Sequence, residues 1–232
     1  MIKINILTII VLAFLILMSV LGMKKGFIKT VFGMCSTIVA IILTMILNPY
    51  VGRMLKANNR LNTYINKQVA EALPLEEAVN AAGESAQENA INKLPLPENI
   101  KSVLIKNDNK DTYKTLGVSN FKDYLVKYVT NVVINAIAFV LTFLIVGILI
   151  FVICFLLDII SKLPVLNQVN KTLGLLCGFV HGFIIVWIFF ALTTALSATK
   201  AGSSLMGMIS ESTILNFIYS HNVISLVLNA VR

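Results

Sequence analysis

The sequence is poor in charge. Only 13% of its 232 residues are Asp, Glu, Lys or Arg, against about a quarter in soluble domains, while 57% are hydrophobic and the mean hydropathy is +0.86. That balance excludes an ordinary water-soluble domain. Catalytic signatures are also missing: there is no phosphate-binding glycine loop and no HExxH, and only His181 and His221 could serve a histidine-based triad. The stretch GSSLMG at Gly202–Gly207 resembles a nucleophile elbow superficially, but no strand precedes it. The three cysteines, Cys35, Cys154 and Cys177, fall inside apolar stretches, where thiols behave as small buried hydrophobes. No disulfide framework and no metal-ligand spacing is present. The expectation is a protein that is not an enzyme and takes no cofactor or metal.

What the chain has instead is long apolar runs. A run of about 18 uncharged apolar residues can cross a hydrocarbon core about 30 Å thick, and four such runs occur. The first is Ile4 to Met23 and the second about Thr30 to Leu47, ending at Asn48-Pro49. The third is Tyr128 to Leu157, long enough that it must tilt or protrude, and the fourth lies between Lys171 and Lys200. The first run is too long for a signal-peptide core and no A-x-A-like site follows it, so it reads as a retained anchor. The expected organisation is all-α: a first membrane helix pair over 1–47, an extramembrane helical loop over 48–127, a second pair over 128–199, and an amphipathic segment over 200–232.

Four spans put both termini and the long loop on one side. The short connections carry Lys24, Lys25, Lys29, Lys162 and Lys171 against Asp158 alone, which makes their side cytoplasmic by the positive-inside rule and leaves the termini and long loop outside. Arg53, Lys56, Arg60, Lys114, Lys122 and Lys127 in the long loop argue the other way, with less weight because long loops translocate largely regardless of charge. The net charge of +8 does not point to nucleic acid: the long loop holds eleven Lys or Arg and nine Asp or Glu with no basic run, which reads as a solvated helical face.

In the long loop Leu55, Leu61, Tyr64, Ile65 and Val69 recur at helical spacing, with breaks expected near Pro74 and at Leu94–Pro97. Ser119 is the N-cap candidate for a helix that leads into the third span. A small helical cap is the expectation, a flexible amphipathic arm the alternative. Beyond the fourth span, Ser203 to Arg232 mixes apolar clusters with Ser, Asn, Glu211 and His221. That suits a helix in the interface or packed on the bundle better than a fifth span, with a re-entrant segment as the alternative.

Glycines punctuate the spans. Gly174, Gly178 and Gly182 recur every fourth residue in the fourth run. In lipid, helices associate through close backbone approach, and small residues four apart form a strip that a partner helix can meet. A second set, Gly22, Gly26 and Gly33, brackets the connection between the first two spans, where Gly22-Met-Lys-Lys-Gly26 supplies a turn. An ionisable group within a span is a functional hypothesis by default. His181 shares a face with Cys177 and Gly174, although Cys-x3-His is two ligands short of a structural metal site. Its bland reading is a neutral imidazole bonded to a neighbouring helix. Asp158 reads as an interface residue near Lys162, and Lys29 as a residue extending its stem to the interface. Were the protein to conduct anything, Asp158, His181 and Lys29 would line the polar path.

The segment SKLPVLNQVNKTLGLLCGFVHG, particularly Leu163-Pro164, Asn170-x3-Gly174 and Gly174-x3-Gly178, resembles the colicin V production protein family. So do the apolar first helix and Gly22-x3-Gly26-Phe27 that follow a short polar N-terminus. Relatives often carry an acidic residue where this chain has Asn5, and compact members have a shorter central loop. The resemblance implies a four-helix, multi-pass protein of the bacterial cytoplasmic membrane tied to toxin (bacteriocin) production or secretion and to envelope maintenance. Some relatives append an extracytoplasmic protease domain after the same helices, which implies an outward C-terminus. Expected partners are the lipid bilayer and membrane or envelope proteins or further copies of the chain, with no nucleic acid. The expected role rests on helix packing; the alternative is a small channel or transporter using Asp158 and His181.

Overall fold

The computed structural model describes residues 3–76, 81, 83–156 and 168–222. Asp158, Leu163 and Pro164 lie outside the described residues, as does the chain beyond Asn222. Among the described residues the regular elements are helices: α1 (Ile6–Lys25), α2 (Phe27–Ala57), α3 (Asn59–Ala72), α4 (Glu84–Lys93), α5 (Glu98–Asn107), α6 (Lys110–Leu116), α7 (Phe121–Leu156), α8 (Gln168–Ala195), α9 (Lys200–Glu211) and α10 (Thr213–Ser220). Four of these, α1, α2, α7 and α8, are long and apolar enough to cross a membrane. They leave large aliphatic and aromatic side chains exposed, among them Ile16, Ile42, Ile148 and Phe155. In water such a surface would be an aggregation site; in lipid it is the solvated face.

Two helices outrun their apolar stretches. α2 does not stop at Asn48-Pro49 but continues to Ala57. Proline removes one donor and crowds the carbonyl four residues earlier, yet the turn after it carries Gly52 against Asn135 and Ala138, and Leu55 against an apolar core. α7 starts seven residues before Tyr128, and its cap is Asn120 rather than Ser119. The Asn120 Oδ1 accepts from the backbone N–H of Asp123 at 2.8 Å, while the Asn120 amide donates to the Asp123 carboxylate at 2.8 Å. An N-cap oxygen reaches the amide three residues on, which selects position 120 for a helix beginning at Phe121.

The chain forms two compact units. The first comprises residues 1–49, 139–191 and 208–232, and holds α1, α10, most of α8 and parts of α2, α7 and α9. Its N-terminal end is tied to the late helices by polar groups. Asn5 caps α1 by accepting from Thr8 N–H at 3.0 Å, and its side-chain amide donates to the carbonyl of Met208. The buried hydroxyls of Thr8 and Ser212 are hydrogen-bonded at 2.8 Å. Trp187 Nε1 donates to the carbonyl of Ile218 at 3.2 Å, and the Asn222 amide donates to that of Trp187 at 2.8 Å. With Leu215 and Ile218 buried as well, α10 packs on the bundle of this unit.

The second unit, residues 50–138 and 192–207, has a core of its own. Ile65 and Val69 of α3, Ile91 of α4 and Leu104 of α5 pack with Tyr124, Leu125, Val129 and Val133 of α7. Tyr64, which shares the apolar spacing of α3, faces outward at 61% exposure. Leu94 ends α4 as its C-cap, and Leu94 and Leu96 are both buried, so the Leu-Pro-Leu-Pro run stops a helix and feeds the core. The Tyr124 hydroxyl, fully buried, donates to the carbonyl of Leu104 at 2.7 Å. Tyr113 stacks on Tyr124 and donates to the Asp108 carboxylate at 2.7 Å. Burial pushes the Asp108 carboxyl above its usual range despite that bond, and burial together with Asp108 raises the Tyr113 phenol.

Candidate functional site

The first unit brings two glycine sets face to face. Gly22 and Gly26, at the end of α1 and in the turn after it, lie against Gly174 and Gly178 of α8. A β-carbon on Gly174 would collide with the carbonyl oxygen of Gly22 and sit 2.8 Å from the carbonyl carbon of Gly26. One on Gly178 would collide with the carbonyl oxygen of Met18 and lie 3.0 Å from the α-carbon of Gly22. These neighbours are backbone, which cannot rotate away. At Gly182 the contacts are the side chains of Met18 and Leu15, at 3.1 and 3.2 Å. The helices therefore meet backbone to backbone at Gly174 and Gly178, and the contact loosens one turn later.

Gly26 has a second constraint. It ends α1 with φ 81° and ψ 166°, its N–H donating to the carbonyl of Gly22 at 2.8 Å. That backbone region is essentially reserved for glycine. The position a β-carbon would occupy is filled by the side-chain amide of Asn170, which is buried. Thr30 completes the turn: its hydroxyl lies 2.7 Å from the carbonyl of Gly26 and 3.2 Å from that of Gly22. The structure thus brings Gly22, Gly26, Asn170, Gly174 and Gly178 into one contact, leaves Gly182 at its edge, and does not describe Pro164.

His181 sits beside this contact. Its Nε2 is 2.9 Å from the Thr37 hydroxyl of α2, and its ring lies 3.8 Å from where a β-carbon on Gly33 would be. Thr37 also lies 3.0 Å from the carbonyl of Gly33. His181, Lys29, Gly33 and Thr30 line a space of about 60 Å³, enough for a few waters. Of the three residues of the polar path, His181 and Lys29 share this space; Asp158 lies outside the described residues. Spacing alone missed Thr30 and Thr37. Ser and Thr bonding back to a carbonyl four residues earlier is common in membrane helices, so nothing in the sequence marks these two.

Four apolar membrane-length helices, with only helices among the described residues, define an all-α membrane protein. The chain belongs to the colicin V production protein family, whose profile matches residues 7–75 and 115–223. No curated protein and no solved structure matches it significantly. The stretch left out of the family match, 76–114, holds α4, α5 and most of α6.

Proposed function

We propose that this protein is a non-enzymatic membrane scaffold that supports bacteriocin production or secretion, or maintenance of the cell envelope, through the partners its helices hold. The observation that carries this reading is the backbone contact between α1 and α8: the residues that most resemble the family motif are spent on packing two helices together. Membership of the colicin V production protein family supports the link to that process. The protein sits in the bacterial cytoplasmic membrane, and the lysines of the short connections favour termini and long loop outside.

The competing reading is a small channel or transporter working through Asp158 and His181, and the space shared by His181 and Lys29 is in its favour. The two separate in cells that depend on the protein for bacteriocin release or for resistance to envelope stress. On the scaffold reading Gly178→Leu abolishes the phenotype, whereas His181→Ala and Asp158→Asn leave it intact. The reverse pattern refutes the scaffold and favours transport.

A further inference from the structure

A second feature of the first unit adjoins the His181 space and shares Lys25, Lys29 and Gly33 with it. Between α2 and α7 runs an open groove of about 330 Å³, predominantly apolar although Ser36 and Thr37 also line it, with Lys25 and Lys29 at one end. This is the lower end of the size range of small-molecule sites. Among the described residues no carboxylate pairs with either lysine. Lys29, Gly33 and Ala40 mark its course along α2; at about 1.5 Å per residue the eleven steps from Lys29 to Ala40 cover about 16 Å. That is the depth of one leaflet of a core about 30 Å thick.

Gly147 of α7 lines the groove. Glycine within a helix carries an entropic penalty, and at Gly174 and Gly178 close backbone contact accounts for it. At Gly147 an added β-carbon meets nothing within 4 Å. Its missing side chain lets no described neighbour approach; it keeps the groove open.

We propose that this groove binds one acyl chain of an anionic phospholipid, with the lipid phosphate held by Lys25 and Lys29. The apolar walls take the chain, and two ammonium groups at the end of a leaflet-deep slot call for a negative headgroup. Basic pockets between membrane helices hold phosphate headgroups in this way. The inference stands apart from the scaffold reading and survives its failure.

The test is native mass spectrometry of the full chain in detergent, with phosphatidylglycerol or phosphatidylcholine added. Wild-type protein is expected to retain phosphatidylglycerol preferentially. Lys25→Gln and Lys29→Gln should each lower that retention about fivefold without affecting phosphatidylcholine. Gly147→Phe, which fills the groove, should lower retention of both lipids. Equal retention of the two lipids by the wild type overturns the proposal and leaves an ordinary lipid-facing surface. Displacement of the lipid by millimolar inorganic phosphate also overturns it, in favour of a free-anion site. So does a wild type that proves to be a dimer and, as Gly147→Phe, keeps its lipid but becomes a monomer, which would assign the groove to a second copy. Should Gly147→Phe lose its helical circular dichroism, the lysine variants decide the question alone.

Discussion

The buried amide of Asn170 occupies the place where any residue other than glycine at position 26 would put its β-carbon. Gly26→Ala therefore meets two obstacles, a backbone region that L side chains avoid and a neighbour that must move. The first alone costs about 1–3 kcal/mol. Thermal unfolding of purified protein in detergent, followed by circular dichroism, should show a lowered midpoint for G26A. If N170A in the same background restores nothing, the clash with Asn170 is not part of the cost.

Gly178→Leu should be worse than Gly182→Leu. At Gly178 the opposing atoms are the backbone of Met18 and Gly22, so α1 and α8 must separate; at Gly182 they are side chains that can turn aside. Overpacking in a core costs about 1–3 kcal/mol, and G178L belongs at the upper end or beyond. Equal loss of stability in the two variants would count against the close approach of these helices.

The Thr37–His181 bond predicts a small and specific effect. Hydrogen bonds between membrane helices contribute about 0.5–2 kcal/mol, so Thr37→Val should lower stability within that range. His181→Ala should cost little further once Thr37 is gone. A double-mutant cycle measures the coupling, and a value of zero would mean that the bond at 2.9 Å contributes nothing.

In the second unit, Tyr124→Phe removes the hydroxyl that donates to the Leu104 carbonyl and leaves that acceptor buried. Such a loss costs about 1–3 kcal/mol. Tyr113→Phe touches a half-exposed bond to Asp108 and should cost less. Melting of the two variants side by side ranks them.

Asp108 gives a pH signature. Its folded carboxyl is raised above the ordinary 3.8 by burial, so the folded state binds the proton more tightly than the unfolded one. The stability that this contributes is complete below about pH 3.8 and is lost as pH rises through the raised value. D108N lacks that loss. Relative to wild type it should therefore gain at pH 7 and surrender the gain near pH 4. A difference that does not change with pH would mean that the carboxyl titrates normally.

The spans were legible because lipid leaves so few choices: an apolar run of this length has to be a helix, and counting charges finds it. The strip Gly174, Gly178 and Gly182 was legible for a similar reason, being periodic. Its partner was not. Gly22 and Gly26 read as a turn, and only the fold reveals that they are also the surface the strip meets. A sequence displays which residues share a helix face, but not which helix that face will touch. Asn5 is a related case. Its amide donates to the carbonyl of Met208, a bond that a carboxylate in its place could not make, and only the fold reveals that use. Pro49 marks the end of the apolar run and of the first unit's opening segment, but not of the helix, which carries Gly52 and Leu55 on to their own contacts. Gly147 drew no notice at all, since a lone glycine has no pattern.

The topology of the long loop is open to a direct measurement. With Cys35, Cys154 and Cys177 replaced and a single cysteine placed at Ser85 in α4, a membrane-impermeant thiol reagent should label whole cells. Labelling only after lysis would put the second unit in the cytoplasm and move the search for partners there.

The bond from Asn5 to Met208 joins residues 203 apart in the chain, and this sets a timetable. At about 5–20 residues per second, synthesis takes on the order of 10–40 s to supply Met208 after Asn5 has emerged. Throughout that interval the start of α1 waits in the membrane without the carbonyl of Met208 and the hydroxyl of Ser212. The last helices thus act as a clasp that closes only once residues 208 and 212 have been made. A ribosome that stalls before residue 208 leaves the polar groups of Asn5 and Thr8 without these partners.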